Sequence, residues 1–354
     1  MDYFAQYGLF LAKIITFLLV FILVFLFFFV VNARNRSSFG NGHIEVLNLN
    51  ERYKRMGDTI RDTAEDIEWV KAREKTERKA QKAKSKAAKK QAKQGLVQTE
   101  EASRKPRLFT IDFDGNMKAS GVVNLREEIS AIISQAGDKD AVLLRLESPG
   151  GMVSNYGLAG SQLARLRDAG IELTISVDNI AASGGYLMAC IGNRIIAAPF
   201  ALLGSIGVVA QVPNVHRLLK KNNVDYELFT AGKYKRTVTV LGENTEEGRA
   251  KFTEEINMVH TLFKDHISHF RPSLDIESVA TGEAWYGRDA LERGLFDEIK
   301  TSDDFIQEHL KDWDVYRVSY IEKTNWCSKL GIAVSVAIEN SVLKILQYNQ
   351  NPRV

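Results

Sequence analysis

Between Ile14 and Val31 the chain reads IITFLLVFILVFLFFFVV, eighteen residues in which Thr16 is the only polar one. A helix needs about 20 apolar residues to cross the hydrocarbon core of a bilayer, so the length suits one span. At roughly −0.3 to −0.6 kcal/mol for each apolar residue, insertion would gain about 5–10 kcal/mol. Lys13 stands at the edge, where its ammonium can reach the headgroups. A cleaved secretory signal is the rival reading, and Val31-Asn32-Ala33 has a faint cleavage-site pattern. The run is longer than the usual apolar core of about 7–15 residues, however, and Arg34 follows it at once. The expectation is an uncleaved anchor, residues 1–31, with the span at about 8–31.

A second uncharged run, Ile195 to Val212, is also eighteen residues long, but Pro199, Gly204, Ser205, Gly207 and Gln211 break it up. That punctuation suits short buried strands and turns. The chain of 354 residues is 45% hydrophobic and 26% charged, ordinary for a globular protein, yet much of the apolar excess lies before residue 32. Much of the basic excess lies between Lys71 and Lys105, so the net charge of +3 hides a charged segment in a nearly balanced remainder. Two cysteines, Cys190 and Cys327, are too few for a disulfide framework, and Cys190 reads as a buried free thiol.

Residues 32–105 form a linker, an amphipathic helix and a basic tether. Tyr53, Met56, Ile60, Thr63, Ile67 and Val70 follow a 3-4-3-4-3 spacing, a seam too short to establish a coiled coil. A helix lying on a partner or on the membrane fits it equally. Lys71 to Lys93, KAREKTERKAQKAKSKAAKKQAK, has no apolar stripe and reads as a solvated helix or tether. Anionic lipid is the sharper alternative, and nucleic acid is not expected because no aromatics are interleaved. From Pro106 a globular pattern begins. Strands are expected over 108–113, 141–146, 171–177 and 226–229. Helices are expected around 125–136, 155–169 and 215–222 and over 245–270. Strands separated by helices make an α/β domain, 106–322, with a carboxy-terminal tail over 323–354.

Three glycine-framed turns stand out. Glu147-Ser148-Pro149-Gly150-Gly151 follows a buried-type strand and precedes a helix, so its glycines can bring backbone N–H groups close to a bound group. Taken alone, it could equally be a plain turn. Ala181-Ala182-Ser183-Gly184-Gly185 also joins a strand to a helix and approaches the nucleophile elbow G-x-S-x-G, with Ala181 in place of the first glycine. Leu203-Gly204-Ser205-Ile206-Gly207 is the third. His216 and His260 are conceivable bases for Ser183 without a supporting motif, and His266 with His269 lacks a third metal ligand. No Walker loop or G-x-G-x-x-G fingerprint is present, and neither a cofactor nor a metal is expected.

Together S-P-G-G, A-S-G-G-Y, G-S-I-G-V and a later G-x-x-K resemble the signal peptide peptidase A family, whose members share the ClpP/crotonase fold. Gly282-Glu283-Ala284-Trp285-Tyr286-Gly287 and Gly294-Leu295-Phe296-Asp297 extend the match, and the amino-terminal layout is similar to the SohB branch. The resemblance implies a ClpP/crotonase-like spiral of strands and helices behind one transmembrane helix and a charged helical tether. It implies Ser183 as nucleophile and Lys235 as general base. Gly151 and Gly184 would be the oxyanion donors, and Ser205 a hydroxyl holding the lysine. Lys235 follows Ser183 by 52 positions, the family spacing, and stands in the Gly-x-x-Lys register. Lys233, two residues earlier, would face a similar direction on an extended segment, so the exchange stays open.

A free lysine has a pKa of about 10.4 and a useful base one of about 7–8, a gap of roughly 3–5 kcal/mol that burial can supply. No acidic residue lies within five positions of Lys235, which permits such burial. The implied activity is endopeptidase cleavage of signal peptides or unfolded membrane-protein fragments, by a homo-oligomeric ring in the bacterial inner membrane. A crotonase-like acyl-CoA enzyme and a non-catalytic membrane scaffold are the other classes. Arg34, Arg36, Arg52, Lys54 and Arg55 after the anchor put the catalytic domain in the cytoplasm by the positive-inside rule, whereas the resemblance puts it in the periplasm.

Overall fold

In the computed structural model of the protein, residues 42–66 and 104–323 are described continuously, with Phe10, 13–18, Phe21 and scattered helical positions between 68 and 86. No helix among the described residues is long and apolar enough to cross a membrane. Most of the 14–31 run lies outside them, as do most of the basic segment and the tail beyond Lys323. One compact unit spans Ile44–Tyr320; the other comprises Met1–His43 and Ile321–Val354.

The larger unit is a mixed α/β fold. Its strands are β1 (Gly42–Asn48), β2 (Arg107–Asp114), β3 (Ala141–Glu147), β4 (Glu172–Val177), β5 (Ile180–Ala182), β6 (Arg194–Ala197), β7 (Leu202–Gly204), β8 (Ala284–Tyr286), β9 (Glu298–Ile299) and β10 (Asp314–Glu322). Its helices are α1 (Leu49–Ala64), α2 (Val122–Gln135), α3 (Val153–Asp168), α4 (Gly184–Ala189), α5 (His216–Lys221), α6 (Glu246–Phe270), α7 (Ile276–Val279), α8 (Gly287–Glu292) and α9 (Ser302–His309). A seven-stranded sheet runs β1-β10-β2-β3-β4-β6-β9, with every pairing from β10 to β9 parallel. A parallel sheet is covered on both faces, which explains why its strands are apolar almost throughout.

On one face Phe109, Ile111, Val142, Leu144, Leu173 and Ile175 belong to the main core, together with Leu125 and Ile129 of α2, Leu163 of α3 and Met188 of α4. On the other, Leu108, Leu143, Ile196 and Val315 meet Leu49 of α1 and Phe305 and Ile306 of α9. The period-two alternation of side chains makes this division. Helix α3 ends on Gly170, whose φ of +75° closes the turn, with Ile171 N–H donating to Leu166 C=O at 3.0 Å. In the 195–212 run Ile195–Ala197, Ala201, Leu203 and Ile206 are core, while Phe200 between them and Val209 beyond them are exposed.

Three local expectations differ from what forms. Tyr226–Phe229 is not a strand: it is exposed and irregular, and no strand among the described residues pairs with it. The Tyr53–Val70 seam is not one helix, because Glu65 takes an extended conformation and caps α1 after Ala64. Tyr53 at the start of that seam packs on the smaller core, while Met56 and Ile60 are exposed; Ile67 lies outside the described residues. Residues 42–64, which the sequence places ahead of the catalytic domain, supply an edge strand and a packed helix.

Beside the large sheet, β5, β7 and β8 form a three-stranded sheet, with β5 parallel to β7 in the register Ala182↔Gly204. Ser183 and Ser205 therefore leave this small sheet side by side.

Candidate active site

Ser183 has a φ of +52° and ψ of −117°, a conformation that side-chain-bearing residues rarely adopt. Its N–H donates to Gly204 C=O at 2.8 Å, and its C=O accepts from Leu187 N–H at 3.0 Å, inside α4. The residue thus joins β5 to a helix N-terminus by a sharp turn, which is what turns a side chain out of the fold. The main chain packs tightly here. A Cβ on Gly184 would lie 2.5 Å from the Tyr156 ring, so the backbone after Ser183 rests directly on that aromatic face.

The Ser148–Gly151 turn is fastened to the same strand. Ser148 N–H donates to Ile180 C=O at 2.8 Å, and Ala182 N–H to Ser148 C=O at 3.0 Å. Gly150 has a φ of +89°, and a Cβ there would lie 2.8 Å from both Gly184 N and Ser183 Cβ. Only glycine lets the two turns approach this closely. Gly150 N–H is taken by Ser148 Oγ at 3.1 Å. Among the described residues, the N–H groups of Gly151 and Gly184 have no backbone or side-chain acceptor. Two free donors beside a serine hydroxyl can receive a developing oxyanion.

Ser205, with a φ of +51°, is held by its N–H to Glu283 C=O at 2.5 Å and follows the Gly204 carbonyl that binds Ser183. Ser183, Gly151, Gly184 and Ser205 therefore come together. Lys235 does not join them within one chain. It is exposed on the irregular stretch between α5 and α6, its backbone N–H bonded to Gly232 C=O at 3.1 Å, and its side chain has no hydrogen bond or ion pair among the described residues. Lys233 is paired with Glu247 at 2.7 Å, and that carboxylate pushes its pKa up, opposite to what a base requires.

The histidines lie elsewhere. His266 Nε2 is 3.1 Å from Leu187 O, and burial lowers its pKa, so it is a neutral bridge between α6 and α4. His269 lies edge-on to Phe270. His216 is half-buried at the start of α5, and His260 Nε2 is buried without a partner among the described residues. Cys190 is a fully buried free thiol, its pKa pushed up by burial; Cys327 lies outside the described residues. A cleft of about 270 Å³ on the second face of the large sheet, lined by Asp112, Asp114, Arg145, Glu147 and Asp178, is largely paired internally. Arg145 binds Asp112 at 2.6 Å, and Asp178 takes Ser302 N–H at 2.8 Å.

Residues 2–163 match the family description "Peptidase family S49 N-terminal", and residues 165–315 match "Peptidase family S49". The chain belongs to peptidase family S49. "Probable protease SohB" of Haemophilus influenzae is 48% identical over 93% of this chain and 92% of its own length. A protein of the same name from Buchnera aphidicola (subspecies Schlechtendalia chinensis) is 49% identical over 86% and 99%. Near-full-length similarity of this kind puts the S49 chain on the SohB branch. "Serine protease SPPA, chloroplastic" of Arabidopsis thaliana is 32% identical over 45% of this chain and 24% of that protein.

Sequence reasoning missed what lies beneath the turns of this peptidase. Ser148 Oγ, Tyr156 Oη and Asn116 C=O form one chain, buried at Ser148 and Tyr156 and reaching the surface at Asn116. The only sequence signal was a tyrosine in the first turn of a helix, which looks like any core aromatic.

Proposed function

We propose that this S49 peptidase is a membrane-anchored serine endopeptidase that cleaves signal peptides or unfolded membrane-protein fragments through an acyl-enzyme on Ser183. The observation that carries the reading is the strained Ser183 turn flanked by the unpaired N–H groups of Gly151 and Gly184. Ser183 Oγ attacks the scissile carbonyl carbon as its proton passes to neutral Lys235 Nζ, and the carbonyl oxygen becomes an oxyanion facing the two N–H groups. Collapse breaks the C–N bond, and Lys235 returns the proton to the leaving amine. Lys235 Nζ then takes a proton from water as its oxygen attacks the acyl carbon; the ester C–O bond breaks, Lys235 returns the proton to Ser183 Oγ, and the acid leaves. Each oxyanion donor is worth about 3–4 kcal/mol in the transition state.

Lys235 needs to be out of water to serve as a neutral base, and one chain leaves it exposed. Leu228, Phe229 and Tyr234 are exposed on the same stretch. In the proposed assembly, a homo-oligomer, a second copy covers these side chains and takes the Lys235 amine out of water. The Ile14–Val31 run is the anchor, and a carboxy-terminal alkaline phosphatase fusion reports the side of the membrane: active in the periplasm, inactive but expressed in the cytoplasm.

The test is full-length protein in mild detergent with unfolded casein or a signal peptide. Ser183→Ala and Lys235→Ala are both expected to lose cleavage while keeping their assembly. Wild-type turnover in either variant removes that residue from the chemistry. A non-catalytic scaffold is the second reading, favoured by the exposed Lys235, and it predicts no labelling of Ser183 by an active-site phosphonate.

A further inference from the structure

Tyr156 lies in the first turn of α3, fully buried, and touches both turns that carry the candidate oxyanion donors. Its ring face supports Gly184, where a Cβ would stand 2.5 Å from Cγ. Its hydroxyl is 2.6 Å from Ser148 Oγ and donates to Asn116 C=O at 2.9 Å. A phenol has one proton, so Ser148 supplies the proton of the shorter bond, while Ser148 Oγ accepts from Gly150 N–H at 3.1 Å. The result is a one-way chain: Gly150 N–H to Ser148 O–H to Tyr156 O–H to Asn116 C=O.

The far end of that chain returns to Gly151. Asn116 Oδ1 accepts from Lys118 N–H and Ser120 N–H, both at 3.1 Å, shaping the 116–120 turn. Met117 C=O in that turn accepts Met152 N–H at 2.9 Å, and Gly151 packs directly on the Met117 backbone. Gly151 is thus held from one side through Ser148 and from the other through the Asn116 turn. Both supports end on the hydroxyl of Tyr156, and Gly184 rests on its ring.

We propose that Tyr156 is a positioning residue, the spacer that holds the N–H groups of Gly151 and Gly184 at the separation an oxyanion requires. The inference rests on the peptidase reading of Ser183. Donors must stand about 2.7–3.1 Å from the oxyanion, and a misplacement of about 1 Å costs on the order of 100-fold in rate. Burial raises the pKa of Tyr156, which keeps its hydroxyl protonated and the chain intact across the working range of pH.

Tyr156→Phe keeps the ring under Gly184 and removes only the relay, and Ser148→Ala cuts the same relay one step earlier. In the detergent-solubilised full chain, each is expected to lower kcat about 10- to 100-fold with KM within about twofold. Affinity for a peptide aldehyde, whose hemiacetal oxygen sits where the oxyanion develops, should fall by the same factor as kcat/KM. The double variant should lose little more than the worse single one, because both break one chain. Unchanged kcat in Tyr156→Phe, a loss confined to KM, or single effects that multiply fully would each overturn the proposal. Should Tyr156→Phe fail to fold, Ser148→Ala carries the same readouts. If Ser183→Ala cleaves as fast as wild type, the Ser183 reading falls and this one with it. If cleavage depends on Ser183 but not on Tyr156 or Ser148, only the positioning role falls.

Discussion

Ser183 holds a left-handed φ that costs about 1–3 kcal/mol for a residue with a Cβ, and it persists because its surroundings over-determine it. Two backbone hydrogen bonds fix its ends, and the following backbone is seated on the Tyr156 ring. Gly150 is where the two turns press on each other backbone to backbone. A methyl at position 150 would sit at a φ of +89°, 2.7 Å from Ala182 O and 2.8 Å from Gly184 N, backbone atoms that have nowhere to go. Gly150→Ala is expected to destabilise the fold by about 2–4 kcal/mol, the sum of strain and overpacking, and to abolish cleavage. Urea unfolding measures the first effect, and unchanged stability would show that the two turns can separate.

At the level of elements, the clearest lever is the contact between α2 and β10. Glu128 of α2 is 6% exposed, and its Oε1 accepts Tyr320 N–H of β10 at 2.8 Å. Burial raises its pKa to about 7; Asp112 pushes the same way, while the Tyr320 N–H and Arg317 act against it. A carboxyl whose folded pKa lies above its unfolded value binds protons more tightly when folded. Its contribution is therefore complete below about pH 4.5 and is lost as pH rises through about 7. The loss amounts to roughly 3 kcal/mol between those limits. Glu128→Gln keeps an acceptor for Tyr320 and removes the titration. The stability difference between wild type and variant should drift against wild type from pH 5 to 8, and parallel curves from chemical denaturation would refute the assignment.

For the whole molecule, the exposed apolar surface sets the expectation. Phe229 is 88% exposed, Phe200 86% and Val209 81%, and Met56 and Ile60 on α1 are exposed as well. In the proposed homo-oligomer, the Phe229 side chain, beside Leu228 on the stretch that carries Lys235, is the residue a second copy covers. Phe229→Glu changes nothing inside one chain, so folding stability should shift by no more than about 0.5 kcal/mol. The assembled mass in mild detergent is expected to fall, and cleavage with it, because Lys235 stays in water. An unchanged mass with full activity would place the interface elsewhere.

Much of the site could be read along the chain because its constraints are local. Glycines framing a serine after an apolar run specify a tight turn, and three glycine-framed turns in order carried the family resemblance, with later motifs extending it. The alternation of β2 and β4 was legible for the same reason, since a two-residue period acts over neighbouring residues, and β3 was legible as a short apolar run. What the tertiary structure decided depends on residues distant in sequence. Tyr156 became a support only because Asn116, Ser148 and Gly184 fold around it from three separate segments. Lys233 was set apart from Lys235 by Glu247, a neighbour only after α6 has formed. Tyr226–Phe229 had the composition of a strand, but a strand exists only where another offers its edge, and none among the described residues does. Turn chemistry belongs to the sequence, whereas burial, strand pairing and the support beneath a turn belong to the folded chain.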